Sequence, residues 1–438
     1  MSGLLDGTVV FAIFLGLLLI GVWIPLAIGI SGLIFLAMTS GLGAFQGLGL
    51  SVWGGVNNFT LTAIPLFILM AEFLLNSGLS MRVYRGLSRL VKRLPGGLLQ
   101  TNIAGCAIFA AISGSSVATA ASIGTVAIPE LLKRKYSRSL SVGTIAAGGT
   151  LGILIPPSIA MIIYGSFTNL SIAKLFMAGL VPGLLLVLLF MLFIGVYCLL
   201  RPDATGGRGA AMVPVEDEGG VVQILNDLLP FVVLIGVVLG SLYLGLATPT
   251  ESAALGCVFS ALISWIWGDM DRKVLLEVFR RTVRVNGAIL SIVFAAYIFS
   301  YSVALSGLGG TMAEQIGALG LSRWEFILLL FLFYTLLGCL VDSISMIVIT
   351  VPVLFPVLTL YGFDGVWFGV VLVLLIELGQ ITPPMGLNLF VIQGVWNGRM
   401  EEIVRGVTPF YVLIIVMIAI VTLVPSLALW LPDHMIVR

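Results

Sequence analysis

The chain contains the run Gly152-Ile153-Leu154-Ile155-Pro156-Pro157-Ser158 and, 227 residues further on, Gly379-Gln380-Ile381-Thr382-Pro383-Pro384-Met385. Each run lies inside an apolar stretch, 139–165 and 363–396, long enough to cross a bilayer. Two adjacent prolines remove two backbone donors and leave carbonyl oxygens without their helical partners. In hydrocarbon this is tolerated only where the broken backbone is buried in protein or lines a cavity. Each pair therefore predicts a broken helix. Its unwound middle offers oxygens to a hard cation such as sodium, while half-helix N-termini and hydroxyls can hold an anion.

The rest of the composition agrees with a membrane setting. Of the 438 residues, 60% are apolar and 9% charged, and the mean hydropathy is +1.19, so a soluble domain is excluded. Further apolar stretches occupy 8–38, 58–77, 171–200, 228–246, 250–267, 287–305 and 408–431, the first long enough for two helices broken at Pro25. No basic residue precedes the first stretch and no small-residue cleavage site follows it, so the N-terminus reads as mature. A net charge of +1 gives no nucleic-acid partner a basic surface to bind. Cys106, Cys198, Cys257 and Cys339 are scattered through apolar runs, and the single histidine, His434, lies near the C-terminus. Neither a thiolate or zinc cluster nor a histidine-based catalytic site is spelled out, and no catalytic residues are assigned.

Eighteen of the 21 Lys and Arg residues fall in five segments, 82–93, 133–138, 201–208, 272–284 and 399–405. Placing all five on the cytoplasmic side leaves only Lys174, Arg323 and Arg438 elsewhere, as the positive-inside rule asks. Residues 98–132 are apolar but flanked by basic residues at both ends, with Ser113-Gly114-Ser115-Ser116 in the middle. That pattern predicts a re-entrant hairpin from the cytoplasmic side. Residues 326–361 form a similar unit around Asp342-Ser343-Ile344-Ser345. Five spans intervene, so this second hairpin enters from outside.

The offset of 227 residues superposes Pro129 on Pro356, Pro156 on Pro383, Pro157 on Pro384 and Pro182 on Pro409, and pairs Ser116 with Ser343. Together with opposite hairpin entry, this predicts an all-α polytopic membrane protein built from two inverted-topology repeats. The first repeat covers 1–200, a polar cytoplasmic linker covers 201–227, and the second repeat covers 228–438.

At these residues the sequence resembles the large membrane subunit of the tripartite ATP-independent periplasmic (TRAP) transporters. The resemblance runs nearly end to end. It is carried by Ala63 to Phe67, Ser113 to Glu130, Gly152 to Ser158, Ala247 to Glu251, Trp367 to Gly369 and Glu377 to Phe390. It implies an elevator-type permease of the bacterial inner membrane that imports an organic acid with sodium. It also implies two partners: a small membrane subunit, here expected as a separate chain, and a periplasmic substrate-binding protein. A stand-alone sodium/divalent-anion symporter is the nearest alternative; an embedded enzyme and a passive channel fit the pattern less well.

Two sodium sites are expected. The first joins Ser113, Gly114 and Ser116 with Gly152 and Pro156. The second joins Asp342, Ser343 and Ser345 with Gly379, Thr382 and Pro383. Substrate contacts are expected from Ser113, Ser115, Ser116, Thr382 and Asn388. Asp342 can either balance a cation or cap the following half-helix. Glu130 reads as a surface pair with Lys133 and Arg134, and Glu251 as part of a helix-start cap. Glu377 is the acid placed for a structural or gating role, and Gln393 offers a further amide. Residues 81–94 alternate basic and apolar faces, as an interfacial arm linking scaffold to moving domain would.

Overall fold

A computed structural model describes residues 2–91, 93–205 and 220–436. They form twenty α-helices, and among the described residues there is no strand. The first half comprises α1 (Ser2–Leu19), α2 (Ile24–Ser40), α3 (Phe45–Val56), α4 (Ala63–Asn76), α5 (Leu79–Val91), α6 (Leu98–Ser113), α7 (Ser116–Lys133), α8 (Arg138–Leu154), α9 (Ile159–Thr168) and α10 (Ile172–Leu200). The second half begins with α11 (Val221–Tyr243), α12 (Pro249–Trp267), α13 (Arg272–Ser306), α14 (Leu308–Ala318) and α15 (Arg323–Gly338). It continues through α16 (Ser343–Leu360), α17 (Gly365–Gln380), α18 (Leu387–Val395), α19 (Met400–Leu423) and α20 (Ser426–Asp433). Among the described residues, eight helical stretches are long and apolar enough to cross a membrane, with α8 and α9 together making one of 31 residues. The chain is a multi-pass membrane protein.

Shifted by 227 positions, α2 falls on α12, α4 on α13, α7 on α16, α8 on α17, α9 on α18 and α10 on α19. These pairs exchange neighbours. α2 packs on α13 while α12 packs on α4; α9 packs on α16 while α18 packs on α7; α8 packs on α19 while α17 packs on α10. The α4–α12 contact is parallel and in register. Thr250 Oγ1 donates to Phe59 O (3.4 Å), Cys257 Sγ to Leu66 O (2.8 Å) and Ser264 Oγ to Phe73 O (3.0 Å), advancing together along both helices. Hydroxyls in apolar helices find backbone oxygens because hydrocarbon offers them no water.

Several sequence expectations are revised. The break in 8–38 falls at residues 20–23, and Pro25 sits in the first turn of α2, where its missing N–H costs nothing. Segment 272–284, expected only to face the cytoplasm, is helical. It is the start of the 35-residue α13, about 52 Å long and so longer than the hydrocarbon core, and its arginines extend beyond the apolar part. The linker assigned to 201–227 lies mostly outside the described residues. Of its ends, Pro202–Thr205 form one 3-10 turn, and 221–227 already belong to α11.

The arm at 81–94 is also more deeply anchored than a surface helix. Arg82 Nε donates to Asp227 Oδ1 at 2.9 Å and Arg82 also reaches Trp267 O (2.8 Å). Arg89, with its side chain 4% exposed, contributes Nη1 to Asp227 Oδ2 at 3.4 Å. An acid on α11 thus ties the arm to the α11–α12 pair, a link that counting basic residues for topology conceals.

Candidate functional site

Hairpin α6–α7 turns at Gly114, whose φ of 60° is the left-handed conformation that glycine adopts without penalty. Ser115 then caps α7 through a contact with the Ala118 amide. Ser113 Oγ lies 2.8 Å from Thr119 Oγ1 and 3.2 Å from Ser115 O. The broken helix meets this tip backbone to backbone. A Cβ on Gly152 would lie 2.5 Å from Ser115 O and 2.8 Å from Thr119 Oγ1. A Cβ on Gly114 would lie 2.6 Å from Pro157 O, and the Ile159 amide donates to Gly114 O at 3.4 Å. Glycine is required on both sides because only a bare Cα lets the two backbones approach so closely. Ser113, Gly114 and Gly152 are therefore brought together with Ser115, Thr119 and the Pro157 carbonyl, whereas the Ser116 hydroxyl is turned to Gln380 and it is Pro157, not Pro156, whose oxygen faces the tip. Break residues 155–158 are all buried, and Ser158 caps α9 while donating to Ile153 O at 2.6 Å.

Hairpin α15–α16 is seated differently. Gly338, at the end of α15, lies against Gly379: a Cβ on Gly379 would be 2.8 Å from Gly338 Cα and 3.0 Å from Tyr334 O. Cys339 Sγ faces Thr382 O (3.7 Å) and Pro383 O (3.5 Å). Asp342 is the N-cap of α16, and its Oδ2 accepts from the amides of Ile344 (3.1 Å) and Ser345 (3.3 Å). The helix it caps begins at Ser343. Contact with the Gly379–Pro383 break is made by Gly338 and Cys339 of the incoming limb, with Asp342, Ser343 and Ser345 following on the outgoing one. Thr382 donates its hydroxyl to Leu378 O at 2.6 Å. Pro383, Pro384 and Met385 are exposed, in contrast to the sealed first break.

The two halves meet through Gln380. Ser116 Oγ donates to Gln380 Oε1 at 2.6 Å, joining the first hairpin tip to the second broken helix. One turn earlier on α17, Glu377 is completely buried, and neither carboxylate oxygen has a hydrogen-bond partner. Asn388, also fully buried, donates to Ala146 O at 3.4 Å, and its Oδ1 is unpartnered. Gln393 turns away and donates to Gly398 O at 2.9 Å. Glu130 pairs with Arg134 at 3.6 Å, and Glu251 completes a capping box with Thr248. Gln380 was visible in sequence as a polar residue entering the break, but its partner lies 264 positions away.

Among the described residues no cluster of three or more His, Cys, Asp or Glu side chains could hold a transition metal. What converges on the tips is carbonyl and hydroxyl oxygen, the ligand chemistry of hard cations.

The two hairpins abut two broken helices within a polytopic helical core. Its architecture is similar to the YdaH transporter of Alcanivorax borkumensis (TM-score 0.63, 15% identity, covering 90% of this chain and 89% of that one). It is similarly close to Neisseria gonorrhoeae MtrF, described as one of a class of antimetabolite efflux pumps (TM-score 0.62, 13% identity, 90% and 85%). Residues 11–427 match the family model of the tripartite ATP-independent periplasmic transporter, DctM component, and the chain belongs to that family. It is 32% identical to the C4-dicarboxylate TRAP transporter large permease protein of Pseudomonas aeruginosa, over 93% of this chain and 94% of that one. It is 29% identical to the sialic acid TRAP transporter large permease protein of Vibrio cholerae, over 96% and 97%.

Proposed function

We propose that this permease imports an organic acid across the bacterial inner membrane, driven by sodium. A periplasmic binding protein would deliver the substrate, and a small membrane subunit, a separate chain, would complete the scaffold. The observation that carries the reading is the seating of each hairpin on a proline-broken helix, with oxygens converging at both contacts and Ser116–Gln380 bridging them. Sodium would bind at the first contact among Ser113, Gly114, Ser116, Gly152 and Pro156, and at the second among Gly379, Thr382 and Pro383 with Asp342, Ser343 and Ser345 nearby. Ser113, Ser115, Ser116, Thr382 and Asn388 would then hold the acid, whose carboxylate is met by hydroxyls, amides and half-helix N-termini.

The exchange of neighbours between helices 227 residues apart supports an inverted repeat, and with it alternating access by an elevator motion. That relatives are named for C4-dicarboxylate and sialic acid transport supports an acid as cargo. Reconstitution of the chain with its small subunit and binding protein tests the reading: substrate should accumulate only under an inward sodium gradient. Equal uptake under a potassium gradient would refute sodium coupling. Full uptake without the two partners would favour a stand-alone symporter.

A further inference from the structure

A cavity of about 320 Å³ lies where the second hairpin faces α1, α13 and α14. Its walls include Phe11 and Phe14 of α1, Met312 of α14, Leu330 and Phe333 of α15, and Val353 of α16. Two hydroxyls reach the lining, and both are committed elsewhere: Thr8 donates to Leu5 O (2.8 Å), and Thr350 bonds Met346 O and the Tyr334 hydroxyl. Both threonine hydroxyls spend their proton within the protein and the rest of the lining is apolar, so the cavity presents no side-chain donor to an organic acid.

An apolar cavity of about 150 Å³ already suffices to bind benzene, so one of this size has room for a length of hydrocarbon. Leaving it empty would forfeit the dispersion contacts of its whole lining. On the neighbouring face of α15, Leu328, Leu332 and Leu336 are exposed, a lipid-facing row beside the cavity.

A cation stands at the head of the same helix, in an adjoining cleft that it lines with Gly362, Phe363 and Asp364. Arg323, exposed and without an ion pair among the described residues, lies one turn before Phe326, a wall residue. Its guanidinium is 5.7 Å from the Phe363 ring, in the aromatic group where Phe326 stacks on Tyr361 at 4.6 Å. Trp324 is 57% exposed beside it, the residue type that favours the membrane interface. The neighbouring acids are turned to backbone: Glu325 accepts from the Ser322 amide at 2.7 Å, and Asp364 from those of Val366 and Trp367.

We propose that this cavity binds one acyl chain of a phospholipid whose phosphate is met by Arg323, so that a lipid tail fills the space between the second hairpin and α1. The site recognises its ligand by shape and by one cation, and it stands independently of the sodium reading.

Photolabelling tests it on the full chain in vesicles of phosphatidylethanolamine carrying a photoreactive group on one tail, followed by peptide mapping. The expected result is labelling of Phe11, Met312 and Val353 in addition to the outward-facing Leu188, Leu192 and Leu332. In Thr8→Trp, which places an indole in the cavity, the Val353 label should fall to background while that at Leu188 and Leu192 persists. Arg323→Gln should lower the cavity label selectively, and it keeps the test decisive if Thr8→Trp does not fold. Labelling confined to the outward-facing leucines, or a Val353 label unchanged in both variants, would overturn the proposal. So would loss of the Val353 label when the small subunit is added, which would mean that a partner side chain occupies the space.

Discussion

Ser116 and Gln380 are 264 residues apart in sequence and 2.6 Å apart in space, the hydroxyl of the first hairpin tip donating to the amide oxygen at the second break. Both side chains are buried. Removing either partner leaves a buried polar group unsatisfied, at a cost of about 1–3 kcal/mol. Ser116→Ala and Gln380→Leu should therefore each lower the thermal unfolding midpoint, while the double variant loses less than the sum of the two. Simple additivity in that double-mutant cycle would mean that the bond contributes nothing.

Close backbone approach gives a second expectation. Gly152→Ala and Gly379→Ala drive a methyl group into Ser115 and Gly338 backbone respectively, and each should cost about 1–3 kcal/mol. Gly236→Ala is the control: nothing lies within 4 Å of its added Cβ and it sits within α11, so the change should be neutral or stabilising by up to about 1 kcal/mol. Unfolding midpoints of the three purified variants compare them. Equal effects at all three positions would remove the packing argument.

The arm supplies a third. Asp227→Ala leaves Arg82 and the buried Arg89 without their shared carboxylate and should cost about 3–5 kcal/mol. Arg280→Ala, which removes an exposed partner of Glu277, should cost no more than about 1 kcal/mol. Unfolding curves in one lipid composition would decide. A mild Asp227→Ala variant would return the arm to the status of a surface helix.

How much of this was legible beforehand follows from which signals are local. The all-helical membrane fold and its broken segments could be read because Pro156-Pro157, Pro383-Pro384 and the Ser113–Ser116 run are polar or helix-breaking within otherwise apolar sequence. The Ser116–Gln380 bond was not legible, since no periodicity connects residues on different helices so far apart. Nor was the Asp227 anchor, because the arginines it holds had an adequate explanation as topology signals. At the second tip the sequence drew attention to the acid, yet close packing against the break falls to Gly338 and Cys339, which carry no charge to betray them.

Asp342 supplies the fourth expectation. Asparagine caps helices about as well as aspartate, so Asp342→Asn should leave folding and assembly intact. If the carboxylate also balances a cation, the variant should need a higher sodium concentration for half-maximal uptake. Unchanged sodium affinity would confine Asp342 to capping the amides of Ile344 and Ser345.

Sodium binding at the two hairpin contacts is tested most directly by equilibrium binding of radioactive sodium to the purified chain in lipid nanodiscs, with potassium as competitor. Two saturable sodium ions per chain are expected, neither displaced by an equal concentration of potassium. Ser113→Ala should weaken one site and Thr382→Ala the other. Absence of saturable sodium binding, or displacement of sodium by potassium at equal concentration, would contradict the assignment.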